Sequence, residues 1–190
     1  AFDRSFSLGF GTETDIRDYR GKLVISHDIA DENSIQLSEF FELYKSFDSN
    51  LPLALNIKSD GLQHALKHLL MKYSISNYFV FDMSVPDGLQ YIAYNLKSYS
   101  RQSEYELQPS FYQHASGIWL DEFERHWIEK SILNEHLVAG KRICIVSPDL
   151  HKRKYEAEWR EYKNFEQSND VNDMMICTDQ PEKARSFFNG

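Results

Sequence analysis

Short apolar runs alternate along the chain with longer amphipathic segments. The apolar runs predict strands at Leu8–Asp15, Leu23–Ser26, Leu53–Lys58, Tyr78–Met83, Leu96–Ser100, Gly117–Leu120, Arg142–Val146 and Met174–Thr178. The amphipathic segments predict helices at Gln36–Phe47, Gly61–Tyr73, Asp87–Asn95, Asp121–Val138, Arg153–Phe165 and Pro181–Phe188, and the polar stretch Glu166–Asp173 is predicted as a loop. Alternating strands and helices favour an α/β fold with a parallel sheet that is buried on both faces.

Several predicted strands end in a polar residue: Asp15, Lys58, Asp82, Arg101, Asp121 and Asp179. In a (β/α) barrel, residues at the carboxyl ends of the strands carry the chemistry. An open, doubly wound sheet would show the same pattern, so the pattern alone leaves both architectures open.

Composition narrows the range of functions. The chain has 190 residues, of which 42% are hydrophobic and 26% charged, and this indicates one globular domain over 1–190. The net charge of −8 argues against general affinity for nucleic acid or for anionic membranes. No apolar stretch approaches the roughly 20 residues of a membrane span, so stable membrane insertion is not expected. The expected location is the cytoplasm.

The segment Gly9–Asp28 carries the most chemistry. Glu13 and Asp15 are two residues apart on a predicted strand, so their side chains point to the same face. Two such carboxylates repel each other unless a cation lies between them, and oxygen ligands suit Mg²⁺ or Ca²⁺. The next strand ends in His27 and Asp28, and a histidine can move a proton near neutral pH.

This segment resembles the glycerophosphodiester phosphodiesterase family, which has a Glu-x-Asp strand, a turn and a hydrophobic strand ending in His-Asp. The resemblance covers nearly the whole chain. Ala1–Gly9 is similar to the helix before the Glu-x-Asp strand, and Leu53–Lys58 to the family's Asn-Ile-Glu-x-Lys strand. Ile176–Ala184 is similar to the closing Thr-Asp-x-Pro segment.

The resemblance implies a (β/α)₈ barrel of the phospholipase-C-like phosphodiesterase type. It further implies metal-dependent hydrolysis of a small glycerol- or sugar-linked phosphodiester, with Mg²⁺ or Ca²⁺ as the cation. Glu13 and Asp15 would be metal ligands and His27 the acid/base. Lys58 would steady the phosphate as a point charge.

The chain departs from the family pattern at two places. The family begins with a strand ending in His-Arg-Gly, which Ala1–Gly9 does not match. We therefore expect about 15–25 further residues before Ala1 that carry this strand and its loop, and without them we expect ligand binding to outlast turnover. Asn56 stands where the family has its third metal-binding glutamate, and an amide oxygen can bind the ion but brings no charge.

Asn56 keeps a second function open, that of a barrel which has lost catalysis and binds a phosphorylated ligand or a partner protein. A third alternative is an α/β sugar-phosphate enzyme of unrelated mechanism, which would leave the Gly9–Asp28 pattern unexplained.

Four further residues are predicted to contact substrate: Arg101, Glu104, Trp119 and Asp121. Each has a structural alternative, since Arg101 can pair with Glu104 or Glu106 at the surface, Trp119 can pack in a core, and Asp121 can cap a helix. His64 and His68 have metal-ligand spacing on a helix but lack a third ligand, so a solvated face is favoured. The remaining histidines show no partner pattern and are assigned no role: His114, His126, His136 and His151.

Overall fold

The computed structural model describes residues 1–47, 50–169, 171 and 174–190. The described residues form a mixed α/β structure with two compact units, Ala1–Tyr99 and Ser100–Gly190. The expectation of a single domain over 1–190 stays a prediction. None of the helices in the described part of the chain is long and apolar enough to cross a membrane.

The first unit contains a five-stranded sheet in the order β3-β2-β1-β4-β5. Its elements are α1 (Phe2–Ser7), β1 (Thr12–Tyr19), β2 (Lys22–Ile25), β3 (Ile35–Gln36), α2 (Leu37–Lys45), β4 (Leu53–Ile57), α3 (Gln63–Lys72), β5 (Tyr78–Phe81) and α4 (Val85–Ala93). The β1–β4 and β4–β5 pairs are parallel, whereas β2 pairs antiparallel with β1 and β3.

The second unit contains a four-stranded sheet in the order β6-β7-β8-β9. Its elements are β6 (Tyr99–Gln102, beginning at the last residue of the first unit), β7 (Gly117–Leu120), α5 (Lys130–Val138), β8 (Arg142–Val146), a 3₁₀-helix (Pro148–His151), α6 (Glu156–Asn169), β9 (Met174–Cys177) and α7 (Pro181–Asn189). The β7–β8 and β8–β9 pairs are parallel. The predicted α/β class with parallel strands is confirmed.

Each unit has its own hydrophobic core. In the first, strand residues Ile16, Leu55 and Val80 are fully buried, and the aromatic side chains of α2 are buried as well. In the second, β7 and β8 pack against the large side chains of α6, and the cluster includes Ile118, Leu120, Ile143, Ile145, Trp159, Tyr162 and Phe165. Strands β5, β7 and, after its first residue, β8 are apolar on both faces because both faces are covered.

β1 differs from its predicted bounds. The strand begins at Thr12 and continues to Tyr19, past the predicted end at Asp15. The reason is the hairpin with β2, since Arg20 and Gly21 both have positive φ (49° and 78°) and turn the chain directly back. Of the four residue pairs between β1 and β2, three then extend the ladder beyond the parallel part of the strand, which ends at Ile16.

The predicted helix Asp121–Val138 is wrong in its first half, because only Lys130–Val138 is helical. The backbone amides of Phe123, Glu124 and Arg125 donate to the Glu104 carboxylate. Those of Trp127 and Ile128 donate to Glu122 Oε1. Carboxylates that capture successive backbone donors stabilise an irregular segment in place of a helix.

The predicted loop Glu166–Asp173 is also wrong in its first part. Helix α6 begins at Glu156 and continues through Asn169. Asp170, Asn172 and Asp173 lie outside the described residues.

Candidate functional site

Three neighbouring parallel strands bring polar side chains together in the first unit. Glu13 and Asp15 lie on β1, and the register places Asp15 opposite Asn56 of β4. Lys58 follows β4, and its Nζ lies 3.4 Å from Asp15 Oδ1 and 3.6 Å from Asp82 Oδ2 at the end of β5. Because the carboxyl ends of parallel strands meet at one edge, residues distant in sequence form one polar cluster here.

Glu13 has the most perturbed acid–base equilibrium of this cluster. Burial, followed by the neighbouring charge of Asp15, raises the pKa of Glu13 to about 7, although a hydrogen bond with the Asn56 side chain and the charge of Lys58 act in the opposite direction. Glu13 therefore holds a proton for part of the time at neutral pH. A bound cation would favour its ionised form.

The buried side chain of Asn56 indicates that the cluster could bind a cation. Its side chain is 8% exposed, and its Oδ1 has no hydrogen-bond partner. A buried polar atom without a partner costs about 1–3 kcal/mol. Two carboxylates and one amide oxygen are a ligand set that suits Mg²⁺ or Ca²⁺, so the residues fit such an ion.

Arg17 was not predicted as a site residue, yet its side chain connects two of the segments that form the site. Its guanidinium donates to the backbone oxygens of His27, at 3.1 and 3.3 Å, and of Lys58, at 3.1 Å. Arg17 therefore ties the end of the hairpin to the end of β4. The sequence contains a pattern that could have identified Arg17, because residues 13, 15 and 17 lie on the same face of a strand.

His27 stands at the exposed end of this arrangement. Its side chain is 77% exposed, and its Nδ1 lies 3.0 Å from Asp28 Oδ1. A carboxylate oxygen accepts a hydrogen bond, so this contact favours the tautomer with its proton on Nδ1, in which Nε2 faces away from Asp28. The described contacts of the His27 ring include none with Glu13, Asp15 or Lys58.

Asp82 has an unusual backbone conformation, with a φ of 70°. A non-glycine residue in the left-handed region is strained by about 1–2 kcal/mol, and such strain is concentrated at functional sites. The conformation accompanies the contact between the Asp82 carboxylate and Lys58. Asp82 thus helps to hold the Lys58 ammonium in place.

No protein-family model matches the sequence, and no curated protein matches it. Solved structures do match. A Galdieria sulphuraria protein assigned as a glycerophosphodiester phosphodiesterase aligns with a TM-score of 0.76 at 18% identity, over 99% of this chain and 91% of that one. An Oleispira antarctica phosphodiesterase in complex with the product sn-glycerol-3-phosphate aligns with a TM-score of 0.70 at 14% identity, over 100% of this chain and 89% of that one. A glycerophosphodiester phosphodiesterase from Agrobacterium tumefaciens aligns with a TM-score of 0.68 at 16% identity, over 99% of this chain and 91% of that one.

The agreement spans nearly the full length of both chains in each pair, although the identities are low. The chain has the fold of the glycerophosphodiester phosphodiesterases. The predicted (β/α)-barrel class and the resemblance seen in Gly9–Asp28 are thus confirmed at the level of the fold. The expectation of a first strand upstream stays a prediction.

In the second unit of this glycerophosphodiester phosphodiesterase fold, Trp119 and Asp121 lie at the end of β7. Asp121 Oδ1 is 2.7 Å from His151 Nε2. Burial raises the pKa of Asp121, although His151 and Arg101 favour its ionised form. His151 was assigned no role from the sequence, because its partner lies 30 residues away in the chain.

Two predicted substrate contacts already have structural partners. Arg101 pairs with Glu106, which is the alternative considered for it. Burial acts to raise the pKa of Glu104, but the amides of the segment after β7 outweigh it and lower that pKa. Substrate roles for Arg101, Glu104, Trp119 and Asp121 stay predictions.

Proposed function

We propose that this protein hydrolyses a small glycerol- or sugar-linked phosphodiester with the help of Mg²⁺ or Ca²⁺ held by Glu13, Asp15 and Asn56. The observation that supports this most is the cluster itself. Two carboxylates, an unpartnered buried amide oxygen and a lysine meet at the ends of parallel strands. The similarity in fold to a phosphodiesterase in complex with sn-glycerol-3-phosphate supports the substrate class.

The residues of the site would have two roles, stabilisation of the phosphoryl charge and proton transfer. A divalent ion bound there would offset the negative charge that builds on the phosphoryl oxygens. Lys58 would bind a phosphoryl oxygen as a point charge, and Asp82 would position its ammonium group. His27 would exchange a proton through Nε2 with the attacking or the leaving oxygen, while Asp28 stabilises the imidazolium.

The second candidate function is binding of a phosphorylated ligand without turnover. Asn56 favours it, because a neutral ligand attracts a cation less strongly than a carboxylate. Lys58 already balances part of the charge of Asp15 and Asp82, which lowers the field on an ion further. Binding of glycerol 3-phosphate in the absence of any hydrolysis would identify this case.

An assay of glycerophosphodiester hydrolysis with Mg²⁺ and with Ca²⁺ tests the proposal. We expect His27→Ala to lower the rate by about 10²–10⁴-fold and Glu13→Gln to weaken metal activation. His64→Ala, which removes an exposed histidine from α3, is the matched control and should leave the rate unchanged. Turnover that is equal in the wild type, His27→Ala and Glu13→Gln would contradict the proposed site.

A further inference from the structure

A second polar cluster lies within the second unit, between the irregular segment after β7 and helix α6. Glu122, His126 and Glu158 each offer a ligand atom, and these atoms all lie within 4.8 Å of one another. His126 Nδ1 is 2.8 Å from Glu122 Oε1 and 3.9 Å from Glu158 Oε1. On the other side of the ring, His126 Nε2 is 3.2 Å from Glu161 Oε2.

The cluster carries more negative than positive charge. Glu122 is fully buried and Glu158 nearly so. Arg153 is the cation beside them, with Nη2 2.8 Å from Glu158 Oε1 and Nη1 3.6 Å from Glu122 Oε2. Burial acts to lower the pKa of His126, but Glu122, Glu158 and Glu161 outweigh it and raise that pKa. Even with a protonated His126, two cations do not balance two buried carboxylates and Glu161, and burying uncompensated charge is costly. The site is therefore electrostatically suited to a further cation.

Two buried carboxylate oxygens at the cluster also lack hydrogen-bond partners. They are Glu122 Oε2 and Glu158 Oε2. The Tyr162 ring lies 6.2 Å from the His126 ring. Burial, followed by the charges of Glu122 and Glu158 and a hydrogen bond with Glu122, raises the pKa of Tyr162, so its hydroxyl lies close to both carboxylates. Buried polar atoms normally have partners, and two carboxylate oxygens without one, close to the same imidazole, are suited to bind a cation.

We propose that Glu122, His126 and Glu158 form a structural site for a divalent transition-metal ion, with Zn²⁺ as the best match. A nitrogen ligand with carboxylate oxygens suits Zn²⁺, whereas Mg²⁺ and Ca²⁺ take oxygen ligands. Glu122 Oε1 accepts the amides of Trp127 and Ile128, so Oε2 is the oxygen left for the ion. Binding at Nδ1 replaces the hydrogen bond to Glu122, and any proton on Nδ1 passes to solvent.

The bound ion would fasten the irregular segment after β7 to α6. This segment carries both Glu122 and His126, and α6 carries Glu158. Neither the ligands nor the role depend on the phosphodiesterase proposal, because Glu13, Asp15 and Asn56 take no part. Loss of one site therefore leaves the other testable.

Calorimetric titration of the full, metal-free chain with Zn²⁺ tests the site. We expect one Zn²⁺ per chain and a higher midpoint of thermal unfolding. His126→Gln and Glu158→Gln should each weaken binding by about tenfold or more. His114→Gln, which removes an exposed histidine of the same unit, should leave the affinity unchanged.

Equal affinity in His126→Gln and His114→Gln would overturn the site, as would no binding to the folded chain at about 100 µM Zn²⁺. Anomalous X-ray scattering from wild-type crystals soaked in Zn²⁺ gives a reading that does not depend on the folding of a variant. A peak between Glu122, His126 and Glu158 supports the site. Peaks only elsewhere refute it.

Discussion

Among single residues, Glu13 has the environment with the clearest thermodynamic consequence. Its pKa is about 7 in the folded chain against 4.5 as the ordinary value, because of burial and then of Asp15. The folded state therefore binds this proton more tightly than the unfolded state does. The corresponding stabilisation is complete below about pH 4.5 and is lost as the pH rises through 7.

We therefore predict that Glu13→Gln becomes more stable relative to the wild type as the pH rises. The free energy of unfolding should shift in favour of the variant by up to about 3 kcal/mol between pH 4.5 and pH 8.5, in the presence of a chelator. Urea unfolding at several pH values measures this difference. Glu32→Gln, at an exposed position, is the control and should show no such trend. A difference that is constant with pH would contradict the environment assigned to Glu13.

Asn56 decides how strongly the site attracts a cation. We predict that Asn56→Asp raises the affinity for Mg²⁺ or Ca²⁺ about tenfold, because the number of charged ligands sets the affinity of such sites. Without metal, the same change should lower stability by adding a third acid beside Glu13 and Asp15. Calorimetry on the variant and on Asn50→Asp, an exposed charge control, measures the effect. Equal affinities in the two variants would place the cation elsewhere.

At the scale of elements, the β1–β4 pair is the support of the candidate site. Its first contact is the hydrogen bond from the Thr12 amide to the Pro52 oxygen, at 3.0 Å. Gly11 precedes it, and a Cβ added there would lie 2.5 Å from that same oxygen. The close approach of the segments that lead into β1 and β4 therefore requires glycine at position 11.

We predict that Gly11→Ala destabilises the protein by about 2–3 kcal/mol, since overpacking against backbone forces the strands apart. Gly140→Ala is the control, because it has open space and a φ of +70°, so it should cost only about 1 kcal/mol of backbone strain. Thermal and urea unfolding compare the two. If Gly11→Ala proved no more damaging than Gly140→Ala, the close approach would not be a constraint on the fold.

One predicted helix shows how distant contacts can outweigh a local sequence pattern. The stretch from Asp121 to Glu129 has the composition of a helix start, yet it is irregular because Glu104 and Glu122 bind its backbone amides. Glu104 lies about twenty residues earlier in the chain. Helical periodicity is read over a short stretch of sequence, so it cannot reveal a partner that lies this far away in the chain.

For the whole molecule, the net charge of −8 acts on any ion that binds. We predict that the affinity for Mg²⁺ falls several-fold, by about two- to tenfold, between 20 and 300 mM NaCl, because salt screens the attraction of the acidic chain for cations. Titration calorimetry at constant pH measures this. An affinity independent of salt would mean that local ligands alone determine binding.

Much of the fold could be predicted from the chain itself. The apolar runs located the strands β4, β7 and β8 closely, because strands buried on both faces are continuous in sequence. The bounds of β1 were missed, since the hairpin with β2 extends it through pairing that an apolar run does not reveal. Within the site, Glu13 and Asp15 followed from a two-residue period, which is a local property of a strand.

The sequence by itself determined the α/β class, the acidic pair on β1 and the family resemblance, because these depend on neighbours a few residues apart. Only the tertiary structure decided that Asn56 lies opposite Asp15, that Lys58 contacts both Asp15 and Asp82, and that His126 meets Glu158. Such contacts depend on strand register and on helix packing. Both are set by interactions between segments that lie 24 or more residues apart in the chain, which a local pattern does not contain.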